Sequence, residues 1–430
     1  MNKKIFFLSS LIFLTSSFSF AELYPETRFF EVCFDTNILL NQNAVTANDI
    51  LKETVTIDLT EIAKNMSDDG FVINAGIEPL VYVKMNIGGW GAGISLDFDN
   101  SLKFSLGKDF FELLGEGNAD TDTISTTVSM GAQSFIKAAV PLKFRFGKLR
   151  FRVAPTVFVP VFYIPYNTSS ITGSVKESNG EYTVGISGEF NMYTLLNISA
   201  LTGGSFDFSS LLSDITSGTI VEDLFSSAGI NLDVGVEFPL FRTLDVGAYG
   251  VIPVIPGHLK YCTSAYADYS ISGISVTNII NGTTEFTTPE YGTHYGFNSC
   301  SELNSAYSVN TPFRIGIEGA WRPFGAWCTF RPKLGVAVNN PFGEDTQGWE
   351  NFKEASYVEY ALGADIRILY ILNFYLNTQY VEQIYTNSFG LGMNLRLFEL
   401  TVNVASSSSD FAKSWLLSGV DASVGIRTGF

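Results

Sequence analysis

Seven basic side chains, Lys143, Arg145, Arg150, Arg152, Arg367, Arg396 and Arg427, alternate with apolar residues, most of them beside a short turn or close to Phe430. A ring of cations on one face of a sheet can draw in an anionic head group, since charged rings set the selectivity of pores. The same ring can instead be salt-bridged and stiffen a wall. Of these seven, Arg145 and Arg150 are the residues assigned to a ligand. Two other stretches are apolar on both sides. In Pro155 to Pro165, Val157, Val159 and Val161 alternate with Phe158, Phe162 and Ile164; in Leu244 to Pro256, Tyr249, Val251 and Ile255 alternate with Val246, Ile252 and Val254. A strand greasy on both faces needs something apolar on each, so Val157, Phe158, Phe162, Tyr249, Val251 and Ile255 become candidates to line a hydrophobic ligand. Pro155, Pro160, Pro253 and Pro256 remove ladder donors there, which predicts kinks or a small lateral opening.

Acid–base or nucleophilic chemistry is not what this set offers. The chain has two histidines, His258 and His294, and no Ser, His and acid at a recognisable spacing. No Cys-x-x-Cys occurs, and we expect no metal and no cofactor. The Gly88 to Gly93 cluster leads from one strand pattern into another, so it reads as a turn rather than a dinucleotide loop. The protein is not expected to be an enzyme.

The elements that must position these residues repeat every two positions. Val81, Val83, Met85 and Ile87 alternate with Tyr82, Lys84 and Asn86; Phe313, Ile315 and Ile317 with Arg314, Gly316 and Glu318; Tyr360, Leu362, Ala364, Ile366 and Ile368 with Asp365 and Arg367. Val420, Ala422, Val424, Ile426, Thr428 and Phe430 form one face of a last strand, with Asp421, Ser423, Gly425 and Arg427 on the other. Apolar-out, polar-in alternation over segments of roughly 10 residues describes a membrane strand. Short turns recur at Gly147, Pro239 to Arg242, Trp321 to Gly325, Leu369 to Ile371 and Phe398-Glu399, while long polar loops fall near 166–181, 261–304, 339–353 and 405–414. That asymmetry belongs to a transmembrane barrel, whereas a soluble sandwich would blunt its edge strands. Residues 201–228 break the up-and-down order; they fold into the lumen or lie at the rim.

Composition agrees. Aromatics make up 14% of the chain, glycines number 39, and only 16% of residues are charged. Lys3 and Lys4, the apolar run Ile5 to Leu14 and Ser19-Phe20-Ala21 read as a secretory signal over residues 1–21. The formal charge is −17, which excludes nucleic acid as a natural partner because phosphate binding needs basic surface. Export permits a disulfide. Cys262 and Cys300, flanking a polar segment, are the expected pair. Asp58-Leu59-Thr60-Glu61 has capping-box spacing and predicts a helix from about Leu59 to Met66. Residues 22–70 therefore read as a plug inside a barrel or a periplasmic extension beneath it.

Three segments carry a resemblance: Arg28 to Asp35 (RFFEVCFD), Phe110 to Asn118 (FELLGEGN after Phe110) and Asp233 to Phe238 (DVGVEF). They resemble poorly characterised barrels related to the outer-membrane long-chain fatty-acid transporters. The resemblance implies a hatch-plugged barrel of 14 strands through which hydrophobic ligands leave sideways; the Asn-Pro-Ala start of that hatch is missing, Thr36-Asn37-Ile38 lying nearest. The strand that ends on Phe430 likewise resembles the assembly signal of outer-membrane barrels, with Val424, Ile426 and Phe430 as its outward residues.

The expectation is thus an all-β transmembrane antiparallel β-barrel of about 14 strands (12–16), residues 71–430, behind a small N-terminal helical plug, residues 22–70. Its partners would be outer-membrane lipid, the barrel-assembly machinery and a hydrophobic small molecule. The expected role is a channel in the cell outer membrane for hydrophobic or amphipathic molecules such as long-chain fatty acids. A general diffusion porin and a surface-exposed adhesin or antigen barrel are the alternatives, with an outer-membrane phospholipase last.

Overall fold

The computed structural model describes residues 28–42, 70–109, 123–166, 169–178, 181–197, 219–275, 292–297, 301–343, 346, 348–368, 371–381, 384–408, 411–415 and 419–430. From β1 (Phe30–Gln42) the chain runs through β2 (Phe71–Ile87), β3 (Trp90–Leu106), β4 (Thr123–Ala139), β5 (Leu142–Phe146), β6 (Leu149–Ile164) and β7 (Ser170–Ser178). Next come β8 (Glu181–Thr194), helix α1 (Thr219–Ser227), β9 (Gly229–Phe241), β10 (Leu244–Ile255), β11 (Gly257–Ser275), β12 (Gly292–Phe297), β13 (Ser301–Val309) and β14 (Phe313–Trp321). The rest is β15 (Cys328–Val338), helix α2 (Trp349–Ala355), β16 (Ser356–Ile368), β17 (Leu372–Val381), β18 (Ile384–Asn394), β19 (Phe398–Ser408) and β20 (Val420–Gly429).

The strands form one closed antiparallel sheet. The circuit passes from β1 through β2, β3, β4, β6, β9, β10 and β14, continues in sequence to β20, and returns to β1. Closure leaves no raw edge, which is what lets a sheet exist in hydrocarbon. At the join, Phe30 and Phe430 exchange both backbone hydrogen bonds at 3.1 Å, and the Phe430 ring sits 5.9 Å from Phe30 and 6.1 Å from Phe29.

The described residues form twenty strand segments, although the circuit just traced passes through fourteen of them, within the expected range of 12–16. The excess arises because several staves are broken into pieces. β4 and β5 both pair with β6 on either side of Val140-Pro141, and β10 and β11 pair with β14 and β13 on either side of Pro256. A proline offers no ladder hydrogen, so the strand bends and restarts. The described residues of the expected loops at 166–181 and 261–304 are also largely strand, since β7, the start of β8, β11, β12 and β13 occupy them. Ser, Thr and Tyr dominate these hairpins, so the apolar alternation that betrays a strand in lipid is absent.

The expected N-terminal plug is corrected in its described part: β1 is a stave of the wall, paired with β2 and β20 along its length. The expected helix at Leu59 to Met66 lies outside the described residues, as do the signal segment and the Phe110 to Asn118 motif. One turn also moves. β18 ends at Asn394 and β19 starts at Phe398, so the reversal is Leu395 to Leu397 rather than Phe398-Glu399. Arg396 has φ +71° there, and its amide donates to Asn394 Oδ1 at 2.8 Å.

The alternation has its expected sense. On β20, Val420, Ala422, Val424, Ile426 and Thr428 are exposed outside, while Asp421 and Gly425 are buried and Ser423 and Arg427 half-buried inside. Ile317 is 61% and Leu362 50% exposed, against 1% for Glu359 on the other face. An apolar outside and a polar inside invert the arrangement of a soluble core. Aromatic clusters mark both margins of that belt. Trp90, Phe144, Phe146 and Phe151 lie 5.6–6.2 Å apart beside the short turns, and Tyr360, Tyr380, Tyr385 and Phe411 form a chain of 4.4–5.6 Å contacts towards the long connections. Such girdles sit at the two membrane interfaces. No described helix is long and apolar enough to cross a membrane.

Candidate functional site

One stave is interrupted. β8 stops at Thr194, and β9 begins at Gly229 directly after helix α1. Above the break β8 pairs with β11; below it β9 runs between β6 and β10. At the break itself β6 and the β10–β11 junction press together. A Cβ on Gly229 would run into the Phe158 ring, and one on Gly257 into Phe158 and Pro160, so glycine is required at both.

Lumen-facing side chains fill this seam with an apolar cluster. Phe135, Phe158, Leu195, Leu259 and Val309 are all at most 2% exposed, and Phe135 meets Phe158 edge-on at 5.8 Å. Leu224 of α1 and Leu196 pack on the same cluster, and α1 is tied down by an ion pair between Asp223 and Lys260. Above it three tyrosines stack: Tyr193 on Tyr307 at 3.8 Å, and Tyr307 against Tyr163 at 5.9 Å. At the described end of the parity-breaking segment 201–228, Leu224 packs on this inward cluster, the first of the two places expected for it.

Below the cluster the lumen is charged. Arg314 on β14 donates to Glu359 on β16 at 3.1 Å, and Arg331 pairs with Asp365. Lys137 pairs with Asp99 across β4 and β3. Lys333 lies 4.4 Å from the centroid of Tyr249, whose ring covers the paired glycines Gly316 and Gly335. Nearer the short turns, Arg150 reaches Glu237 at 3.4 Å and Asp245 at 3.6 Å, and Arg322 reaches Asp245 at 3.0 Å. At the β1–β20 join, Glu31 takes Arg28 at 3.1 Å and Lys84 at 3.2 Å, while Glu399 takes Arg28 at 3.5 Å and Arg427 at 3.7 Å.

Of the seven basic residues of the ring, Arg150 and Arg427 stand in ion pairs, as the second of its two readings expects. Arg145 is exposed at the rim and donates to Gly147 O at 2.9 Å, within its own turn. Arg150 is already engaged by two carboxylates. We expect Arg150→Glu to leave uptake of anionic solutes unchanged and to lower the urea midpoint of the folded barrel, because a third carboxylate then faces Glu237 and Asp245. A fall in anion uptake with the midpoint unchanged would restore the anion-site reading.

The six apolar candidates divide by face. Phe158 lies opposite Lys137 and points inward; Tyr249 (4% exposed) and Val251, opposite Arg314, also face the lumen. Val157 is 44% exposed on the outer face. Phe162 pairs with Ser134, beyond a bulge at Ser134/Phe135, and so takes the face opposite to Phe158. Ile255, past a register shift at Pro253/Ile255, is 44% exposed. Val157 and Phe158 thus take opposite faces as expected, whereas Phe162 and Ile255 leave the faces of Phe158 and Tyr249 on which they were expected, because a bulge adds one residue and turns every later side chain over.

Cys33 and Cys328 are buried thiols. Cys262 stands opposite Ser301 in the β11–β13 pairing, while its expected partner Cys300 lies outside the described residues. Sequence reasoning missed Phe135, Leu195, Leu259, Val309 and the three tyrosines, which sit in segments too polar to announce a greasy interior. It also missed the lumen acids Glu31, Glu237, Asp245, Glu359 and Glu399. Their signal was present as alternation, since each faces the same side as a basic residue on a neighbouring strand.

No protein-family model matches the chain, and no curated protein matches it in sequence. Among solved structures it is similar to the Pseudomonas putida toluene transporter TodX (10% identity, 95% of this chain and 91% of that one, TM-score 0.46). It is also similar to the Ralstonia pickettii toluene transporter TbuX (9% identity, 94% and 90%, TM-score 0.41) and to the CymD monoaromatic hydrocarbon channel (10% identity, 94% and 89%, TM-score 0.41).

Proposed function

We propose that the protein is an integral outer-membrane β-barrel that passes hydrophobic or amphipathic small molecules, long-chain fatty acids among them. The observation that carries this reading is the cluster of Phe135, Phe158, Leu195, Leu259 and Val309 on the lumen face. A water-filled pore keeps polar residues inside. Around this dry core the partly buried Tyr163, Tyr193, Leu196 and Tyr307 instead offer an apolar surface, worth about 25 cal/mol for each Å² of apolar cargo it covers. The tyrosine stack above supplies flat apolar faces with polar tips, suited to handing a greasy molecule from water to that surface. The outer apolar belt supports lipid as the surrounding partner.

Two measurements on the purified barrel test the proposal. A fluorescent long-chain fatty acid is expected to bind saturably, and planar bilayers are expected to show no large, steady ion conductance. Large ohmic conductance without saturable binding would assign the protein to the general porins.

A further inference from the structure

Exposed charge is divided by sign between the two ends of the barrel. At the short turns the exposed charged side chains, among those described, are Arg145, Lys148, Arg242 and Arg396. Towards α1 and the long connections they are Asp109, Glu189, Glu222, Asp268 and Glu302, with Lys353 the exception. A chain of formal charge −17 would not place only cations at one end by composition alone. Arg145 faces Arg150 across the β5–β6 ladder and is held by Gly147 O. Lys148, Arg242 and Arg396 instead occupy the tips of three hairpins, β5–β6, β9–β10 and β18–β19. None of these three enters an ion pair among the described residues. The cations inside the same end, Arg28, Lys84, Arg150, Arg322 and Arg427, all meet Glu31, Glu237, Asp245 or Glu399. Each tip also exposes apolar side chains: Phe146 and Leu149 beside Lys148, Leu240 and Phe241 before Arg242, Leu395 and Leu397 around Arg396.

We propose that this end of the barrel is a docking surface for anionic phospholipid, Lys148, Arg242 and Arg396 each taking a head-group phosphate while the apolar residues beside them lie along the acyl chains. Short turns face the periplasm in outer-membrane barrels, so the lipid belongs to the inner leaflet. Charge complementarity selects this occupant. Apolar and aromatic groups settle at the membrane boundary, and long basic side chains reach from there to the level of the phosphates. A cation so placed gains from every anionic lipid within a Debye length, roughly 8 Å at physiological salt. The tips therefore count, and the inward cations, already paired, do not. The opposite end, with its exposed carboxylates, offers such lipid no equivalent. The inference rests on the membrane reading and adds to it the class of lipid and the residues that select it.

Tryptophan quenching by brominated lipid tests this. Trp349→Phe with Trp415→Phe removes the tryptophans of the long connections and leaves Trp90, Trp321 and Trp327 as reporters at the short turns. The folded barrel carrying both changes is placed in phosphatidylcholine vesicles that contain brominated phosphatidylglycerol or brominated phosphatidylcholine at the same fraction. At low salt, quenching should show a preference of about fivefold for phosphatidylglycerol, the worth of one basic side chain beside an anionic surface. Salt at about 0.5 M should abolish that preference. Lys148→Gln, Arg242→Gln and Arg396→Gln together should bring it to parity while quenching by brominated phosphatidylcholine persists. Lys148→Gln with Arg242→Gln serves if the triple variant loses the heat-modifiable migration of a folded barrel, and should at least halve the preference. A starting barrel without preference, or a preference that survives the substitutions or the salt, would overturn the lipid inference and leave the membrane reading intact. Retention of poly-glutamate by a barrel indifferent to lipid would overturn it too, and give the surface to an acidic protein. Absence of quenching by either brominated lipid would remove the membrane reading itself.

Discussion

Phe158→Arg is expected to cut binding of a fluorescent long-chain fatty acid at least tenfold, about 1.4 kcal/mol or more, while Val157→Arg leaves binding nearly unchanged. The two residues are adjacent and point opposite ways. Phe158 is fully buried beside Phe135, over Gly229, in the seam between β6 and the β10–β11 junction. A guanidinium there puts a charge into the surface proposed to hold the cargo. Val157 faces lipid, so its arginine variant should instead destabilise the barrel by about 2–4 kcal/mol, as charges do near the bilayer midplane. Binding titrations beside urea midpoints in lipid vesicles separate the two effects. If Val157→Arg lost binding and Phe158→Arg kept it, the lumen assignment would be reversed.

Glu359→Leu should destabilise the barrel by about 3–5 kcal/mol, the usual cost of removing one member of a buried ion pair. Glu359 is 1% exposed and accepts from Arg314 at 3.1 Å, and Lys333 lies within electrostatic reach of both. Without the carboxylate two cations would face each other in a dry interior. The double variant Glu359→Leu with Arg314→Met should recover much of the loss, because the stranded charge goes too. Urea titration of the folded barrel measures both. A double variant no better than the single one would mean that Glu359 acts through packing rather than charge.

How much of this was visible beforehand depends on where each strand lies relative to lipid. β14, β16 and β20 could be read residue by residue, because hydrocarbon on one side and a polar lumen on the other impose a strict period of two. β1 carried the same pattern in Phe30, Val32 and Phe34 against Glu31, Cys33 and Asp35. The run Ile38-Leu39-Leu40 then blurs it, and the wall strand was taken for part of a plug. β7 and β13 extend the wall without a greasy face, so they passed as loops. The faces of Phe162 and Ile255 depended on bulges, which composition does not encode. Ion pairing of Arg150 with Glu237 and Asp245 depended on register between strands far apart in sequence, and only the folded sheet supplies that register.

The join between β1 and β20 also bears on how the protein reaches its final form. The pair that seals the cylinder is contributed by Phe30 and Phe430, so the cylinder is complete only after everything between them has found its place. Contacts of such long separation are slow to form. Until that moment the half-built wall carries two open flanks, each able to pair with a neighbouring copy. Speed of sealing, rather than strength once sealed, then decides how much chain is lost to aggregation.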